Sequence, residues 1–403
     1  MNEKSVEIIQ NEKRYCANNY ASIPVVIKKG KGVWVKDVEG NKYLDMLSSY
    51  SALNQGHRHP KVMKALYKQA KKLTLTSRAF YNDIMGDFLS KICRLAGYDK
   101  ALPMNTGTEA VETAIKIVRK WGHYRKNVAK DKGEIIVCSN NFHGRTITIV
   151  SFSTEDQYRD GFGPFPKGFS VAEYGNADSV RKLVTPNTIG ILAEPIQGEG
   201  GVIVPPEGYL KELRQIADEN KILLILDEIQ TGFGRTGKMF CYEHEGIKPD
   251  VLILGKALSA GIMPVSLVLT NDDVMSVINP GDHGSTFGGN PLGAAVGIAS
   301  IDVLLDEELA ERSNRLGNFF IQELRKIDAP CIKEIRGKGL LIGVEIKVEF
   351  GTARKYCMEL LKYGVLCKET HDQTIRFAPP LVIKKKEIEW ALEKIKKVLT
   401  SNI

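Results

Sequence analysis

Two apolar runs decide the fold: Ile222-Leu223-Leu224-Ile225-Leu226, which ends in Asp227-Glu228, and Val251-Leu252-Ile253-Leu254, which ends in Gly255-Lys256. Both are short, continuous and rich in leucine and isoleucine, as is typical of parallel strands buried on both faces. In an open α/β sheet, ligands bind in the crevice at the carboxyl ends of the strands. We therefore predict that Asp227 and Lys256 lie at one edge of one sheet and face the same crevice.

The charged residues that end these runs suggest a chemistry. Pyridoxal phosphate needs a carboxylate to hold its ring nitrogen protonated and a lysine to bond covalently to its aldehyde carbon. Asp227 and Lys256 offer those two groups. The alternative is an ordinary ion pair between a strand-end aspartate and a surface lysine. The pair alone does not decide between these interpretations.

Length and charge limit the class of protein. The chain has 403 residues, enough for one large domain and a smaller one, and its 43% hydrophobic and 26% charged content is that of a globular protein. The net charge of +8 is modest, and the basic run Lys384-Lys385-Lys386 is followed by Glu387 and Glu389. That alternation is typical of a solvated helix face, so we predict no nucleic-acid partner.

The cysteines and the apolar segments indicate the compartment. Seven cysteines are scattered without a Cys-x-x-Cys motif, and their odd number argues for reduced thiols in a reducing compartment. The residues that follow Met1 are mixed in charge and contain no apolar signal core. No stretch has the length of a membrane span. We predict a cytoplasmic protein without a membrane partner.

The pattern along the chain predicts an α/β protein with two domains. Residues 1–50 form an N-terminal segment that packs with the smaller domain, residues 51–300 a large domain with a mostly parallel central sheet covered by helices, and residues 301–403 a small C-terminal α/β domain. The C-terminal elements are predicted as helix 307–327, strand 339–346, helix 352–363, strands 365–368 and 374–377, and helix 385–399.

A candidate phosphate site precedes a long amphipathic run. Asn105-Thr106-Gly107-Thr108 opens a helical pattern that continues from Glu109 to Trp121. A turn of this kind offers free backbone N–H groups, hydroxyls and the positive end of the helix dipole. The same residues also serve as an ordinary helix cap, so the motif alone is a weak signal.

Further candidates follow the predicted strands 134–138, 188–193 and 374–377. Phe142 could stack on a flat ring, and Arg145 could bind a carboxylate with its planar fork. The loop after Glu194 carries Glu199, and Arg376 lies on the last predicted strand. By themselves, Glu199 and Arg376 could also form a core salt bridge.

Two motifs point elsewhere and are rejected. Gly232-Phe233-Gly234-Arg235-Thr236-Gly237 matches the dinucleotide fingerprint, but its glycines do not open an amphipathic helix. His57 and His59 could suggest a metal site, but no third ligand follows at suitable spacing. We predict neither NAD nor a metal.

Taken together, the motifs identify a family. The chain resembles the class III pyridoxal-phosphate-dependent aminotransferases from about residue 12 to residue 398, and within them the members that use ornithine. The residues that carry the resemblance are Asn105-Thr106-Gly107, Phe142-His143-Gly144-Arg145, Glu194-Pro195-Ile196-Gln197-Gly198-Glu199, Asp227-Glu228-Ile229-Gln230, Leu254-Gly255-Lys256, Asn19-Tyr20, Leu47-Ser48-Ser49-Tyr50, Thr76-Ser77-Arg78-Ala79-Phe80, His283-Gly284-Ser285-Thr286-Phe287-Gly288-Gly289-Asn290 and Ile375-Arg376-Phe377-Ala378-Pro379-Pro380.

The resemblance implies a fold-type I homodimer with pyridoxal 5′-phosphate at each subunit interface. Lys256 would bind the cofactor covalently and shuttle protons, and Asp227 would hold its ring nitrogen. The implied remaining cofactor contacts are Phe142 on the ring, Gln230 at its hydroxyl, Gly107 and Thr108 at the phosphate, and Ser285 and Thr286 reaching the phosphate from the partner subunit.

The resemblance also implies the substrate residues. Tyr20 and Arg145 would hold the carboxylate of ornithine, Tyr50 would line the pocket, and Glu199 would neutralise Arg376 until 2-oxoglutarate arrives. Arg376 would then bind the α-carboxylate of 2-oxoglutarate and Arg145 the distal one. Two positions depart from the family pattern: Gly200, where alanine is usual, and Ala260, where glycine is common. Gly200 puts the rigidity of the Glu199 loop in doubt.

The implied reaction moves the δ-amino group of L-ornithine to 2-oxoglutarate in a ping-pong sequence and yields glutamate 5-semialdehyde, which cyclises to pyrroline-5-carboxylate, and glutamate. It would belong to arginine catabolism and proline biosynthesis. The alternatives are an acetylornithine or 4-aminobutyrate aminotransferase, an aminomutase that uses the same cofactor, and a cofactor-binding protein without turnover. Tyr20 and Tyr50 argue against an acetylornithine or 4-aminobutyrate aminotransferase. A binding protein without turnover is disfavoured by the complete set of Lys256, Asp227, Arg145, Glu199 and Arg376.

Overall fold

The computed structural model describes residues 2–401. The strands, in chain order, are β1 (Ile27–Lys31), β2 (Trp34–Asp37), β3 (Lys42–Asp45), β4 (Lys100–Met104), β5 (Glu134–Cys138), β6 (Phe169–Ala172), β7 (Thr188–Ala193), β8 (Leu223–Asp227), β9 (Val251–Leu254), β10 (Ser266–Thr270), β11 (Ile332–Lys338), β12 (Leu341–Ile346), β13 (Val365–Leu366), β14 (Lys368–Thr370) and β15 (Thr374–Phe377).

The α-helices alternate with these strands through the middle of the chain. They are α1 (Glu3–Tyr15), α2 (Ser48–Ser51), α3 (Pro60–Ala70), α4 (Met85–Ala96), α5 (Gly107–Tyr124), α6 (Ile147–Ser151), α7 (Asp156–Arg159), α8 (Ala177–Leu183), α9 (Tyr209–Asn220), α10 (Asp272–Met275), α11 (Pro291–Asp306), α12 (Leu309–Arg325), α13 (Ala353–Lys362) and α14 (Lys385–Leu399). Short 3₁₀ helices cover Cys241–His244, Lys256–Ser259 and Val348–Phe350.

A central seven-stranded sheet organises the large domain. Its strand order is β4-β10-β9-β8-β7-β5-β6, and β10 runs antiparallel to both of its neighbours, β4 and β9. The pairs β9–β8, β8–β7, β7–β5 and β5–β6 are parallel. The predicted fold class, an α/β protein of fold-type I with a mostly parallel central sheet, is confirmed.

The sheet is buried on both faces because alternate side chains of each strand enter different cores. On β8, Leu224 and Leu226 join a core with α9, whereas Leu223 and Ile225 join the core under α5. Helices therefore cover both faces, which explains why β8 and β9 read as unbroken apolar runs.

The two decisive strands lie side by side. In the register of β8 and β9, Leu226 pairs with Leu252 and Asp227 pairs with Ile253. The 3₁₀ helix that follows β9 begins at Lys256, three residues after Ile253. The prediction that Asp227 and Lys256 lie at the same edge of one sheet is confirmed.

Two four-stranded sheets complete the structure. One has the order β1-β2-β3-β13 and joins the N-terminal segment to the C-terminal region through the parallel pair β3–β13. The other has the order β11-β12-β15-β14. The pairing of β3 with β13 supports the predicted packing of residues 1–50 against the smaller domain, and the domain bounds themselves stay a prediction.

The predicted strand 365–368 is wrong as a single element. Val365 and Leu366 pair with β3 in one sheet, whereas Lys368 to Thr370 pair with β15 in the other. The chain changes sheets at Cys367, and a periodicity rule cannot detect a change of partner. The sequence prediction also omitted β1, β6, β11 and α8.

The glycine-rich segment 232–237 connects parts of the chain that are far apart in sequence. Arg235, within it, is fully buried and donates hydrogen bonds to the carbonyl oxygens of Leu340 and Pro379 and to the side-chain oxygens of Ser48 and Asn54. The segment therefore ties the central sheet to the N-terminal segment and the C-terminal region. Within residues 2–401, none of the helices has the length and apolarity needed to cross a bilayer.

Candidate active site

A cavity of about 200 Å³ opens at the edge where β8 and β9 end. Six of the predicted cofactor residues line it, together with other side chains that the motifs did not single out. The lining residues are Thr106, Gly107, Thr108, Phe142, His143, Gly144, Glu194, Ile196, Asp227, Ile229, Gln230, Thr231 and Lys256.

Asp227 is held at one end of this cavity from two sides. Its Oδ1 accepts the backbone N–H of Ile229 at 3.0 Å, and its Oδ2 lies 2.7 Å from Nδ1 of His143. Both side chains are buried, and Nε2 of His143 has no hydrogen-bond partner among the described residues. The carboxylate therefore has a fixed orientation.

Lys256 faces the same cavity with an uncommitted amine. Its side-chain amine forms no hydrogen bond or ion pair with any residue in the described part of the chain, and its backbone adopts a left-handed φ of 42°. Burial lowers the pKa of Lys256, although the charges of Glu199 and Asp227 oppose that effect. An amine with a lowered pKa is a better nucleophile toward an aldehyde carbon.

The N-terminus of α5 supplies donors at the cavity wall. Thr106 and Glu109 form a capping box, which satisfies the N–H groups of Thr106 and Glu109. The N–H groups of Gly107 and Thr108, the first two residues of the helix, have no partner within the helix. A free pair of N–H groups at the positive end of an 18-residue helix is an anion site.

Phe142 is positioned by a second buried carboxyl group. Oε2 of Glu194 accepts the backbone N–H of Phe142 at 3.0 Å. Burial raises the pKa of Glu194 to about 7, against the opposing charge of His143. The ring of Phe142 contacts that of Tyr158 edge-on, with centroids 6.1 Å apart.

Glu199 and Arg376, separated by 177 residues in sequence, form an ion pair. NH1 of Arg376 donates to Oε1 of Glu199 at 2.7 Å, and Nε2 of Gln230 donates to the same oxygen at 3.2 Å. Arg376 is only 1% exposed, and its Nε and NH2 have no partner among the described residues. Burial raises the pKa of Glu199, but Arg376 outweighs burial and lowers it.

Tyr20 and Tyr50 share a neighbouring cavity of about 370 Å³. Tyr20 is mostly exposed, whereas the ring of Tyr50 lies under the guanidinium of Arg376, with 4.8 Å between its centroid and the carbon Cζ. Tyr50 therefore connects this second cavity to the Glu199–Arg376 pair.

Besides Tyr20, Tyr50, Glu199 and Arg376, three further predicted residues do not line the first cavity. The guanidinium of Arg145 stacks 3.4 Å from the ring centroid of Tyr158 and is exposed. Oγ of Ser285 accepts hydrogen bonds from Nδ2 of Asn105 and the N–H of Gly288, and Thr286 is exposed. The predicted contribution of Ser285 and Thr286 to a partner subunit's site stays a prediction.

Sequence reasoning assigned no role to several residues that the structure brings to the site. His143 and Glu194 lie within the motifs that carried the resemblance, so their positions after strands were a usable signal. Ile229 also lies within such a motif, whereas Tyr158 gave no signal, because its contacts with Arg145 and Phe142 arise only in the folded structure.

The loop histidines have carboxylate partners. Nε2 of His57 lies 2.7 Å from Oδ2 of Asp45, and Nε2 of His59 lies 3.0 Å from Oε1 of Glu307. Among residues 2–401, no group of three or more His, Cys, Asp or Glu side chains is arranged to hold a metal ion.

Comparison with known proteins defines the class. Residues 15–399 match the family model "Aminotransferase class-III", and the chain belongs to that family. It is 56% identical over 395 residues to the ornithine aminotransferase of Geobacillus sp. (strain WCH70), covering 98% of each chain.

Solved structures agree with this class. The ornithine aminotransferase of Toxoplasma gondii, crystallised with oxidised glutathione and with partial occupancy of PLP at its active site, has a TM-score of 0.97 and 46% identity over 98% of this chain and 94% of its own. The acetylornithine aminotransferase of Elizabethkingia anophelis has a TM-score of 0.90 and 45% identity over 98% of both chains.

The residues of the first cavity fit pyridoxal 5′-phosphate, on which the chain depends as a class III aminotransferase. Asp227 offers a fixed carboxylate for the ring nitrogen, and the free N–H groups at the start of α5 can bind the phosphate. The unpaired amine of Lys256 lines the same cavity. A Cβ on Gly107 would come within 2.9 Å of Ile229, so a larger residue there would crowd the cavity wall.

Proposed function

We propose that the chain transfers the δ-amino group of L-ornithine to 2-oxoglutarate and forms glutamate 5-semialdehyde and glutamate in a ping-pong sequence. The observation that carries this proposal is the Glu199–Arg376 ion pair beside Tyr50. A cationic diamino acid must enter a site that contains a buried arginine, and the pair removes that repulsion.

When bound, pyridoxal phosphate supplies an electron sink for the carbon that carries the amine and stores the amino group between the half-reactions. Asp227 holds the ring nitrogen protonated, because His143 and the N–H of Ile229 fix its carboxylate. Lys256 binds the cofactor covalently and moves a proton at the amine-bearing carbon. Phe142 covers the ring, Gln230 approaches the hydroxyl, and Gly107 and Thr108 hold the phosphate.

The two substrates use the site differently. Tyr20 and Arg145 bind the carboxylate of ornithine, and Tyr50 shapes the space around its α-amine. For 2-oxoglutarate, Glu199 turns away from Arg376, which then binds the α-carboxylate, while Arg145 binds the distal one. Arginine suits both positions because its planar fork matches a carboxylate. The free Nε and NH2 of Arg376 support this assignment, since they are buried donors without a partner among the described residues.

We further propose a cytoplasmic homodimer in which Ser285 and Thr286 reach the phosphate of the partner's cofactor. The exposed aromatic rings of Phe80 and Phe287 support it, because both flank segments of the family motif and would be covered by a second subunit. The reaction would serve arginine catabolism and proline biosynthesis through cyclisation of the semialdehyde to pyrroline-5-carboxylate.

Acetylornithine is the second candidate for the amino donor, favoured by the 45% identity to an acetylornithine aminotransferase. In acetylornithine the α-amine is acylated, so it is neutral and bulkier than the α-amine of ornithine. 4-Aminobutyrate lacks the α-amine and has a shorter chain. An aminomutase would return the amine to the same carbon skeleton and would need no oxo acid.

A half-reaction screen tests the proposal. The enzyme loaded with pyridoxal phosphate is mixed separately with ornithine, N-acetylornithine, 4-aminobutyrate and lysine, and the loss of cofactor absorbance is followed by stopped flow. We expect ornithine to react with the highest second-order rate constant. A higher rate constant for any of the other three amines contradicts the proposed donor, and recovery of the donor skeleton with its amine moved would indicate an aminomutase.

A further inference from the structure

The segment that carries Tyr50 has an unusual backbone. Four consecutive residues have left-handed φ values: 47° at Ser48, 49° at Ser49, 59° at Tyr50 and 73° at Ser51. None of them is glycine, and residues with a β-carbon adopt this region singly rather than in runs. The short element α2, Ser48–Ser51, is therefore a turn of left-handed backbone and not a right-handed α-helix, and we call it the left-handed turn.

Asp45 holds the entry to the left-handed turn. Its Oδ1 accepts the N–H groups of Leu47 at 2.9 Å and of Ser48 at 2.8 Å, and its Oδ2 lies 2.7 Å from Nε2 of His57. These bonds compensate for the strained backbone, because they satisfy N–H groups that a helix of normal hand would direct elsewhere. Asp45 therefore fixes where the turn begins.

Ser48 fastens the turn to the strand that carries Arg376. Its Oγ donates to the carbonyl oxygen of Ala378 at 2.6 Å and accepts from NH2 of Arg235 at 3.0 Å. The N–H of Ala378 in turn donates to the carbonyl oxygen of Met46 at 2.7 Å. Ala378 is two residues beyond Arg376, so the turn and the arginine are held in one hydrogen-bonded unit.

The consequence appears at Tyr50. Its ring lies against the guanidinium of Arg376 and borders the cavity that also contains Tyr20 and Ser49. With a normal right-handed backbone, successive side chains of this segment would point in other directions, and Tyr50 would leave Arg376.

We propose that the left-handed turn is a specificity device: Asp45 and Ser48 are positioning residues that aim Tyr50 so that the site selects α,ω-diamino acids over ω-amino acids of equal length. The proposal rests on the proposed ornithine reaction and deepens it. Strained backbone concentrated beside a binding site is expected where geometry, rather than stability, is required.

The test begins at Asp45. Asp45→Ala removes the acceptor of the Leu47 and Ser48 N–H groups, whereas Asp45→Asn keeps an amide oxygen that can accept both. Ser49→Gly acts in the opposite direction, because glycine adopts left-handed φ values without steric cost; added to Asp45→Ala, it should favour the turn again. Lys221→Gly makes the same change at an exposed residue with a φ of 51° outside the site.

The substrates are ornithine and 5-aminovalerate, which has the same chain length but no α-amine. In Asp45→Ala, we expect the ratio of kcat/KM for ornithine to that for 5-aminovalerate to fall by about tenfold, as when one binding group loses its place. Asp45→Asn should keep most of the wild-type ratio. Ser49→Gly should restore the ratio in the Asp45→Ala background, whereas Lys221→Gly in the same background should not. Rescue that is specific to Ser49 separates the orientation of Tyr50 from a general change in stability.

An unchanged ratio in Asp45→Ala, with the wild-type preference for ornithine intact, overturns the role of the turn and leaves the proposed function standing. Equal rescue of Asp45→Ala by Ser49→Gly and by Lys221→Gly also overturns the role of the turn, because the effect would then be one of stability alone. A wild-type enzyme that does not prefer ornithine overturns both.

Discussion

Nδ1 of His143 lies 2.7 Å from Oδ2 of Asp227, and the two buried side chains form a unit at the edge of the central sheet. Burial lowers the pKa of His143, but the hydrogen bond and the charge of Asp227 outweigh burial and raise it above its ordinary value. The imidazole therefore donates to the carboxylate of Asp227 and fixes its orientation. A carboxylate held in this way is a suitable partner for a protonated ring nitrogen.

His143→Leu should weaken the site, because it leaves one oxygen of buried Asp227 without a donor. Such a loss costs about 1–3 kcal/mol, which corresponds to roughly 5- to 150-fold in kcat or in the dissociation constant of pyridoxal phosphate. His143→Asn is the control, since its amide N–H can replace Nδ1. Cofactor binding by absorbance titration and kcat for ornithine check the pair, and equal effects of the two substitutions would show that the donor is unimportant.

Arg376→Ala should separate the half-reactions. Glu199 pairs with Arg376 while ornithine is bound, so the ornithine half-reaction should change little. The 2-oxoglutarate half-reaction should lose a charge-assisted bidentate contact, on the order of 3 kcal/mol in kcat/KM. Stopped-flow measurement of each half-reaction checks this difference. Equal damage to both would refute the exchange of partners by Arg376.

Tyr20→Phe should erode the preference for ornithine over 4-aminobutyrate. Both amines present a terminal amino group, so discrimination must come from the far end of the substrate, where Tyr20 and Tyr50 share a cavity. A site built to hydrogen-bond a substrate group discriminates strongly against an analogue that leaves it unpaired. The loss should appear mainly in kcat/KM for ornithine. If the variant has the same preference as the wild type, the hydroxyl of Tyr20 does not contribute to substrate selection and the ring contributes only packing.

Glu194→Gln should change how stability depends on pH. Burial raises the pKa of Glu194 from 4.5 to about 7, so the folded protein binds this proton more tightly than the unfolded chain. The wild type should therefore lose stability as pH rises from 4.5 to 7, by up to roughly 3 kcal/mol from this group.

Glutamine does not titrate, and its amide oxygen can still accept the N–H of Phe142. The free energy of unfolding of the variant, relative to that of the wild type, should therefore increase over the same pH interval. Denaturant unfolding at pH 5, 6, 7 and 8 measures it. A difference that is constant with pH would show that Glu194 is not protonated near neutrality.

The sequence by itself determined the class of fold and the residues that line the cofactor cavity at the ends of β8 and β9. The runs 222–226 and 251–254 are short and apolar at every position, which predicts buried parallel strands, and the edge of one sheet then brings Asp227 and Lys256 together. The helix that opens at Gly107 was also readable, because a capping box and an amphipathic run are local signals. These features depend on neighbours in the chain.

The tertiary structure alone decided the contacts of residues far apart in the chain. It pairs Glu199 with Arg376 and His143 with Asp227, and it divides residues 365–370 between two sheets. It also bonds the left-handed turn, which contains Tyr50, to Ala378 just beyond the strand of Arg376. It also put four non-glycine residues in left-handed backbone. Local propensity opposes that conformation, and its cost is compensated by hydrogen bonds from nearby Asp45 and from the distant residues Ala378 and Arg235.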